Sequence, residues 1–293
     1  RIERRLALLL LLPAVALVAV FQYIPMYGLS IAFREFSWRA PFGGPPVGLS
    51  NIRRLFDDPG FGGALFNTIR YGLVGTAGVA VTGIAVAVVY HLRSISACRP
   101  VFGTIVLAPS YVSWVVVSLL LSRLFTVSGW VNGLLIRAGV LERGIAFLTD
   151  EAVFPAVFVG ASVWKHAGLM AFLCWMLLQQ IDSDMRDAAA IDGLGPIGTT
   201  FRVELSSIRQ QLYALTLFTA LLLLDSFGEQ ALSIASAAIR SQADVIESYA
   251  YRIGIQRGRW ALGVAGSLVS AVVRLPVVFL LAASLYGPGR RRK

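Results

Sequence analysis

Residues 187–205 read "DAAAIDGLGPIGTTFRVEL", a polar, glycine-containing stretch set in a chain that is otherwise mostly hydrocarbon. The surrounding loop, 179–207, crowds Asp182, Asp184, Asp187 and Asp192 together with Arg186 and Arg202. Hydrocarbon does not tolerate that polarity, so the loop stands in water between two apolar segments. Ala188 to Ala190 favour helix, Gly193 allows a sharp turn, and Pro196 is well placed to start a second short helix. The spacing predicts helix, bend, helix. A short helix with alanine on its surface has little side-chain bulk and can fit a cleft on another protein. A plain solvated loop is the other reading that these residues allow.

Outward from this loop the chain is apolar. Of 293 residues 57% are hydrophobic and 14% charged, against roughly 25% charged in ordinary soluble domains. A bilayer core of about 30 Å needs about 20 apolar residues in a helix. Six stretches meet that need, at about 6–27, 69–92, 101–124, 153–178, 208–226 and 260–286, the fifth cut short by Asp225 and Ser226. The fold class expected is an all-α integral membrane protein with six transmembrane helices. The first span follows "RIERR" and so resembles a signal peptide, but its apolar run is too long and no small-residue cleavage site follows, which predicts a retained helix. Six spans put both termini on one side. Basic density, chiefly in "RIERR" and "GRRRK", puts them inside with the "HLRSISACRP" and 179–207 loops. The net charge of +10 then reflects arginines at span ends meeting lipid headgroups rather than nucleic acid. In the first outside loop, Ser50 is placed to cap a short amphipathic helix ending before Pro59 and lying along the membrane face. The glycines of "YGLVGTAGVAVTGIAV", 71–86, suit close helix packing in lipid.

The sequence excludes several chemistries. His91 and His166 sit on different spans, so no multi-histidine metal site forms. No GxSxG elbow occurs, and Cys98 and Cys174 suggest neither disulfide nor metal. The lysines are Lys165 and Lys293, neither preceded by glycine, which rules out a Walker A loop. The chain reads as a non-enzyme without a cofactor of its own.

The 187–205 stretch resembles the cytoplasmic loop of permease subunits in binding-protein-dependent ABC importers, with the pattern Glu-Ala-Ala, three residues, Gly, nine residues, Ile-x-Leu-Pro. Asp187, Ala188 and Ala189 stand at the first three places, Asp192 and Gly193 at the Asp-Gly pair, Val203 at the Ile and Leu205 at the Leu. The spacing is kept throughout. Asp187 replaces the usual Glu, Leu194 the usual Ala and Ser206 the usual Pro. The resemblance covers nearly the whole chain, through "QYIPMYGLSIAFREF", "VGLSNIRRLFDDPGFGGALFNTI", "VWKHAG" with "QQIDSDMRDAA", and "ADVIESYAYRIGI". These look like the carbohydrate-uptake branch, in the subgroup that handles oligosaccharides and polysaccharide fragments.

That resemblance implies a single permease domain over 1–293 with the type I ABC importer permease fold and a cytoplasmic coupling helix. The short helix would dock on a cytoplasmic ATPase subunit, with ATP and magnesium held by the ATPase partners. It further implies a second, non-identical permease, an extracytoplasmic solute-binding protein, and a bacterial cell membrane in which both termini are cytoplasmic. Trp164, Lys165, His166 and Arg274 are candidates for the substrate path, because a charge at the bilayer centre costs about 2.5–3.5 kcal/mol and is seldom there idly. They either line a hydrated cavity, offering an aromatic face and cations to sugars, or hydrogen-bond neighbouring helices or a partner permease. Asp225, near the outer end of its span, suits a mouth or an interface. An ion-coupled secondary transporter is the alternative. It calls for intramembrane acids, of which Asp225 is the candidate, and for internal repeats, of which none is visible.

Overall fold

The computed structural model describes residues 11–92 and 99–286. The "RIERR" start, Cys98 with most of the "HLRSISACRP" loop, and the "GRRRK" end lie outside the described residues. The described chain is helical, with one isolated antiparallel bridge between Arg34 and Pro46. In chain order the principal helices are α1 (Leu11–Phe33), α2 (Ser50–Phe56), α3 (Pro59–Leu92), α4 (Arg99–Tyr111), α5 (Trp114–Leu124), α6 (Phe154–Gln179), α7 (Ser183–Ile191), α8 (Arg209–Ile234) and α9 (Trp260–Tyr286). Among the described residues five of these are long and apolar enough to cross a membrane, and the bent pair α4 and α5 makes a sixth where it counts as one broken span.

Where the spans differ from the sequence expectation, a specific partner explains the difference. The 101–124 span is two helices bent by 99°. Pro109 removes a backbone donor near the end of α4, and the Ser113 hydroxyl accepts from the Val116 N–H at 3.4 Å to start α5. Helix α8 continues through Asp225 and Ser226 to Ile234 instead of ending at 226. Its two interrupting side chains are satisfied in place: Asp225 pairs with Arg274 at 3.1 Å, and the Ser226 hydroxyl donates to the Leu223 carbonyl at 3.1 Å. Helix α3 begins at Pro59, a residue suited to the first turn, rather than near 69. Ser50 is the first residue of α2 and makes no side-chain cap, so the capping role expected of it is not found.

The chain divides into two compact units. One comprises the residues up to Gly62 together with Ile246–Val272. In it the buried Asn51 amide donates to the carbonyls of Ala32 and Arg34 at 3.0 and 2.9 Å, fixing α2 to the end of α1. Trp38 stands edge-on to Trp260, ring centroids 5.3 Å apart. The other unit comprises Gly63–Val245 and the chain from Val273. Its core joins Tyr71 and Val79 of α3, Phe154, Phe158 and Met170 of α6, and Leu223 and Phe227 of α8. Gly83 lies so close to α6 that a methyl group on it would come within 2.5 Å of the Met170 side chain. Small residues thus bring α3 and α6 together. Buried polar groups also bridge these helices: Gln230 of α8 donates to the Phe158 carbonyl and accepts from Ser162, each at 2.7 Å.

Candidate functional site

The 179–207 loop folds from its own punctuation. Asp182 caps α7 by accepting from the Asp184 N–H at 3.2 Å. At the other end, Gly193 adopts φ +79°. Its N–H bonds the Ala190 carbonyl while the Leu194 N–H bonds that of Ala189, both at 3.0 Å. This paired closure requires a left-handed residue, which glycine supplies without strain. Gly195 and Pro196 start a second short helix, Pro196–Thr199, which passes through a wider turn, Thr200–Glu204, toward α8.

The outer surface of this loop is unusual for one surrounded by carboxylates. Asp187, Ala188 and Asp192 are exposed, Ala189 is buried, and Val203 and Leu205 are half-buried. Beside them Ile191 is 87% exposed, Ile197 65% and Phe201 57%. Large apolar side chains held open on a structured loop make it a candidate interaction surface. These three residues are absent from the sequence-derived set, although their placement among charges was the available signal.

Beneath this surface one carboxylate gathers the surrounding elements. Glu204 is 1% exposed. Its Oε1 accepts from Arg186 Nε at 2.6 Å, and its Oε2 accepts from the Thr200 hydroxyl at 2.8 Å and lies 2.9 Å from His91 Nε2. Gln179 Nε2 lies 3.3 Å from the other His91 ring nitrogen. A neutral His91 with its proton on Nε2 satisfies both contacts, donating to Glu204 and accepting from Gln179. Arg186 also donates to the Leu178 carbonyl at 3.0 Å. Thus α7, through Arg186, and the ends of α3 and α6 meet on the segment that leads into α8. Burial alone would raise the Glu204 pKa. Hydrogen bonds from Arg186 and Thr200, with the charge of Arg186, outweigh it and hold the carboxyl below its ordinary value. The cluster forms part of the wall of a 420 Å³ cavity shared with Tyr90 and Trp175.

The candidate residues within the spans are placed differently from one another. Trp164 is 47% exposed and lines an apolar 530 Å³ cavity with Leu120, Leu124, Phe125 and Phe147. Lys165, one residue on, is buried, and its ammonium lies against the carbonyls of Pro109, Ser110 and Val112. His166 Nε2 is 3.2 Å from the Ser226 hydroxyl. Arg274 donates to Asp225 and, at 3.1 Å, to the Leu224 carbonyl. Of the four, Trp164 alone lines that cavity. The longer α8 adds Glu229, exposed one turn beyond Asp225, to the polar residues of the span.

No protein-family model matches the chain. It is 27% identical over 276 residues to Protein LplB of Bacillus subtilis (strain 168), covering 92% of this chain and 85% of that one. It is also 27% identical over 284 residues to the polygalacturonan/rhamnogalacturonan transport system permease protein YteP of the same organism, covering 95% and 87%. The crystal structure of a bacterial ABC transporter involved in the import of the acidic polysaccharide alginate superposes with a TM-score of 0.84 at 25% identity, over 97% of this chain and 96% of that chain. These likenesses make the chain similar, over nearly its whole length, to permease subunits of ABC importers. The described spans, together with these likenesses, make the chain a multi-pass membrane protein. Neither the named relatives nor the structural neighbour supports ion-coupled transport.

Proposed function

We propose that the permease takes up an oligosaccharide or related sugar, delivered by an extracytoplasmic binding protein, and is driven through its 187–205 loop by separate ATPase subunits. The observation that carries this reading is the loop itself: exposed Ile191, Ile197 and Phe201 beside Ala188, over a buried Glu204 that ties the loop to three spans. Such a surface gives a partner a foothold, and the ion pair and hydrogen bonds beneath it carry the partner's movement into the helices. Rigid-body motion of this sort needs an interface with two discrete arrangements. The sugar class follows from the relatives, one of which is named for polygalacturonan and rhamnogalacturonan, and from an alginate importer as structural neighbour. A related structure holds that importer with an alginate pentasaccharide-bound periplasmic protein.

In this reading the ATPase partners bind ATP and magnesium, a second, non-identical permease completes the pathway, and both termini face the bacterial cytoplasm. Asp187, Ala188, Ala189, Asp192, Gly193, Val203 and Leu205 form the coupling set. Trp164 offers the aromatic face that a sugar ring packs on.

The test is to extract the tagged permease from its native membrane in mild detergent, identify what co-purifies, and assay ATP hydrolysis against a panel of neutral and uronate oligosaccharides. Co-purifying ATPase subunits, with hydrolysis stimulated by one member of the panel together with a binding protein, are expected. In that assembly Ala188→Arg abolishes the stimulation without preventing insertion. Full stimulation in an assembled Ala188→Arg complex refutes the docking role.

A further inference from the structure

Helix α4 ends at Tyr111 and α5 begins at Trp114, and the chain turns 99° between them. A turn of this kind inside an apolar segment leaves the last carbonyls of the first helix short of intrahelical partners; of the three concerned here, that of Pro109 accepts from the Val112 N–H at 3.3 Å. In a membrane each unsatisfied backbone group costs several kcal/mol, so broken spans persist where other protein groups satisfy them. Here the group comes from a different helix. The Lys165 ammonium of α6 lies 3.3 Å from the Pro109 carbonyl and 3.1 Å from that of Ser110, and closer still to that of Val112. The Ser110 hydroxyl answers by donating to the Lys165 carbonyl at 2.8 Å.

An ammonium has three N–H donors, and these three carbonyls take all of them. The sign of the charge also suits the site, because the C-terminal end of a helix carries partial negative charge. On the α5 side, Trp114 is 1% exposed and its ring centroid lies 5.5 Å from the ammonium, within range of a cation–π attraction. Trp114, Val117 and Leu121 then pack with Ala161, one turn before Lys165 on α6. Both arms of the bend are therefore held from α6 at one place.

We propose that Lys165 is a positioning residue that fixes the elbow between α4 and α5, rather than a group that contacts cargo. The elbow sets the direction of α5, whose Leu120, Leu121 and Leu124 face Trp164 across the 530 Å³ cavity. Lys165 thereby shapes the wall of that cavity without entering it. The inference holds whatever the cargo is, since it rests on backbone carbonyls.

The elbow is measurable as a distance. Spin labels at Ile105→Cys and Arg123→Cys, both exposed positions, are introduced into the assembled transporter with Cys98→Ser and Cys174→Ala. At 1.5 Å rise per residue the bent pair has backbones about 18 Å apart, whereas an unbroken helix would put them about 27 Å apart. Dipolar EPR is expected to give the short distance with Lys165, and with Lys165→Arg, which keeps a cationic donor. Lys165→Met keeps the length of the side chain but has no donor, and is expected to spread the distribution toward the long distance. If the Met variant does not insert, Lys165→Gln, neutral and with two donors, replaces it and is expected to broaden in the same direction. A long distance with Lys165 in place overturns the proposal. So does a narrow short distance in the neutral variant, which would mean that Pro109 and Ser113 suffice.

Discussion

Replacing Glu204 with glutamine keeps the side chain's shape and removes its charge, so it tests whether the buried carboxylate transmits motion from α7. Three consequences follow from the geometry. Arg186 Nε, 2.6 Å from Oε1, would donate to a neutral amide oxygen. The guanidinium keeps its charge but loses the carboxylate's, so a contact in the range of about 1.5–3 kcal/mol weakens by about 1 kcal/mol. The amide nitrogen would then occupy the place of Oε2, facing Thr200 and His91, both of which now donate there. Threonine can rotate its hydroxyl to accept. Histidine can accept only by moving its proton to the other nitrogen, where it meets the Gln179 amide. An unresolved donor pair at a buried site costs about 1–3 kcal/mol.

Because the Arg186 side chain is 37% exposed, the lower half of the combined range is the realistic one, about 2 kcal/mol. If that energy is part of the coupling between loop and spans, 2 kcal/mol is about thirtyfold. The assay is ATP hydrolysis by the assembled transporter, with and without cargo-loaded binding protein. The Glu204→Gln complex is expected to assemble and to hydrolyse ATP at the basal rate, while stimulation falls at least about tenfold. Adding Arg186→Met should then have less than its separate effect, since the two residues share one interaction. Wild-type stimulation in a fully assembled Glu204→Gln complex would refute the reasoning.

Three further outcomes are expected. The folded-state pKa of Glu204 lies below its ordinary 4.5, so the stability it contributes is fully present above that value and disappears as pH falls through the folded value. Thermal melts should be flat between about pH 7 and 5.5 and should fall below 4.5, with a shallower fall in Glu204→Gln. A methyl group on Gly168 would sit 1.8 Å from the Val106 carbonyl oxygen, so Gly168→Ala must push α4 off α6 and should lower the stability of the complex by about 1–3 kcal/mol, read as a shifted melting temperature. Asp225→Arg and Arg274→Asp should each lower the amount of permease recovered from the membrane. The exchanged pair should restore it; failure to restore would show that the 3.1 Å pair is not what lets α8 run on to Ile234.

The legible parts of the sequence were those fixed locally. Span number followed from apolar length, and the helix–bend–helix of the coupling loop followed from Ala188–Ala190, Gly193 and Pro196, each acting on its own few neighbours. What escaped depended on partners far along the chain. Glu204 stands between two members of the coupling set but shows its role only with Arg186, 18 residues before it, and His91, 113 before it. The run across Pro109 reads as one span because the group that stabilises the break is Lys165, 53 residues beyond Val112. Asp225 and Ser226 make α8 read as ending at 226, because the Arg274 that answers Asp225 lies 49 residues later. Apolar periodicity cannot register any of these.

The same three cases bear on how intramembrane charge is read. In lipid a polar side chain is retained when it has a function or when it satisfies another polar group, and sequence alone weights the two equally. The structure shows both Lys165 and Arg274 engaged with backbone carbonyls of neighbouring helices, so their presence is accounted for before any cargo is invoked. Helix α6 carries Lys165 at the elbow and reaches the Glu204 cluster at Leu178, 13 residues or about 20 Å further on. A single helix therefore joins the carboxylate beneath the proposed docking surface to the lysine at the α4–α5 elbow. In the proposed coupling, movement delivered to α7 would reach the wall beside Trp164 along this polar and helical route, with no charged residue required to touch the cargo.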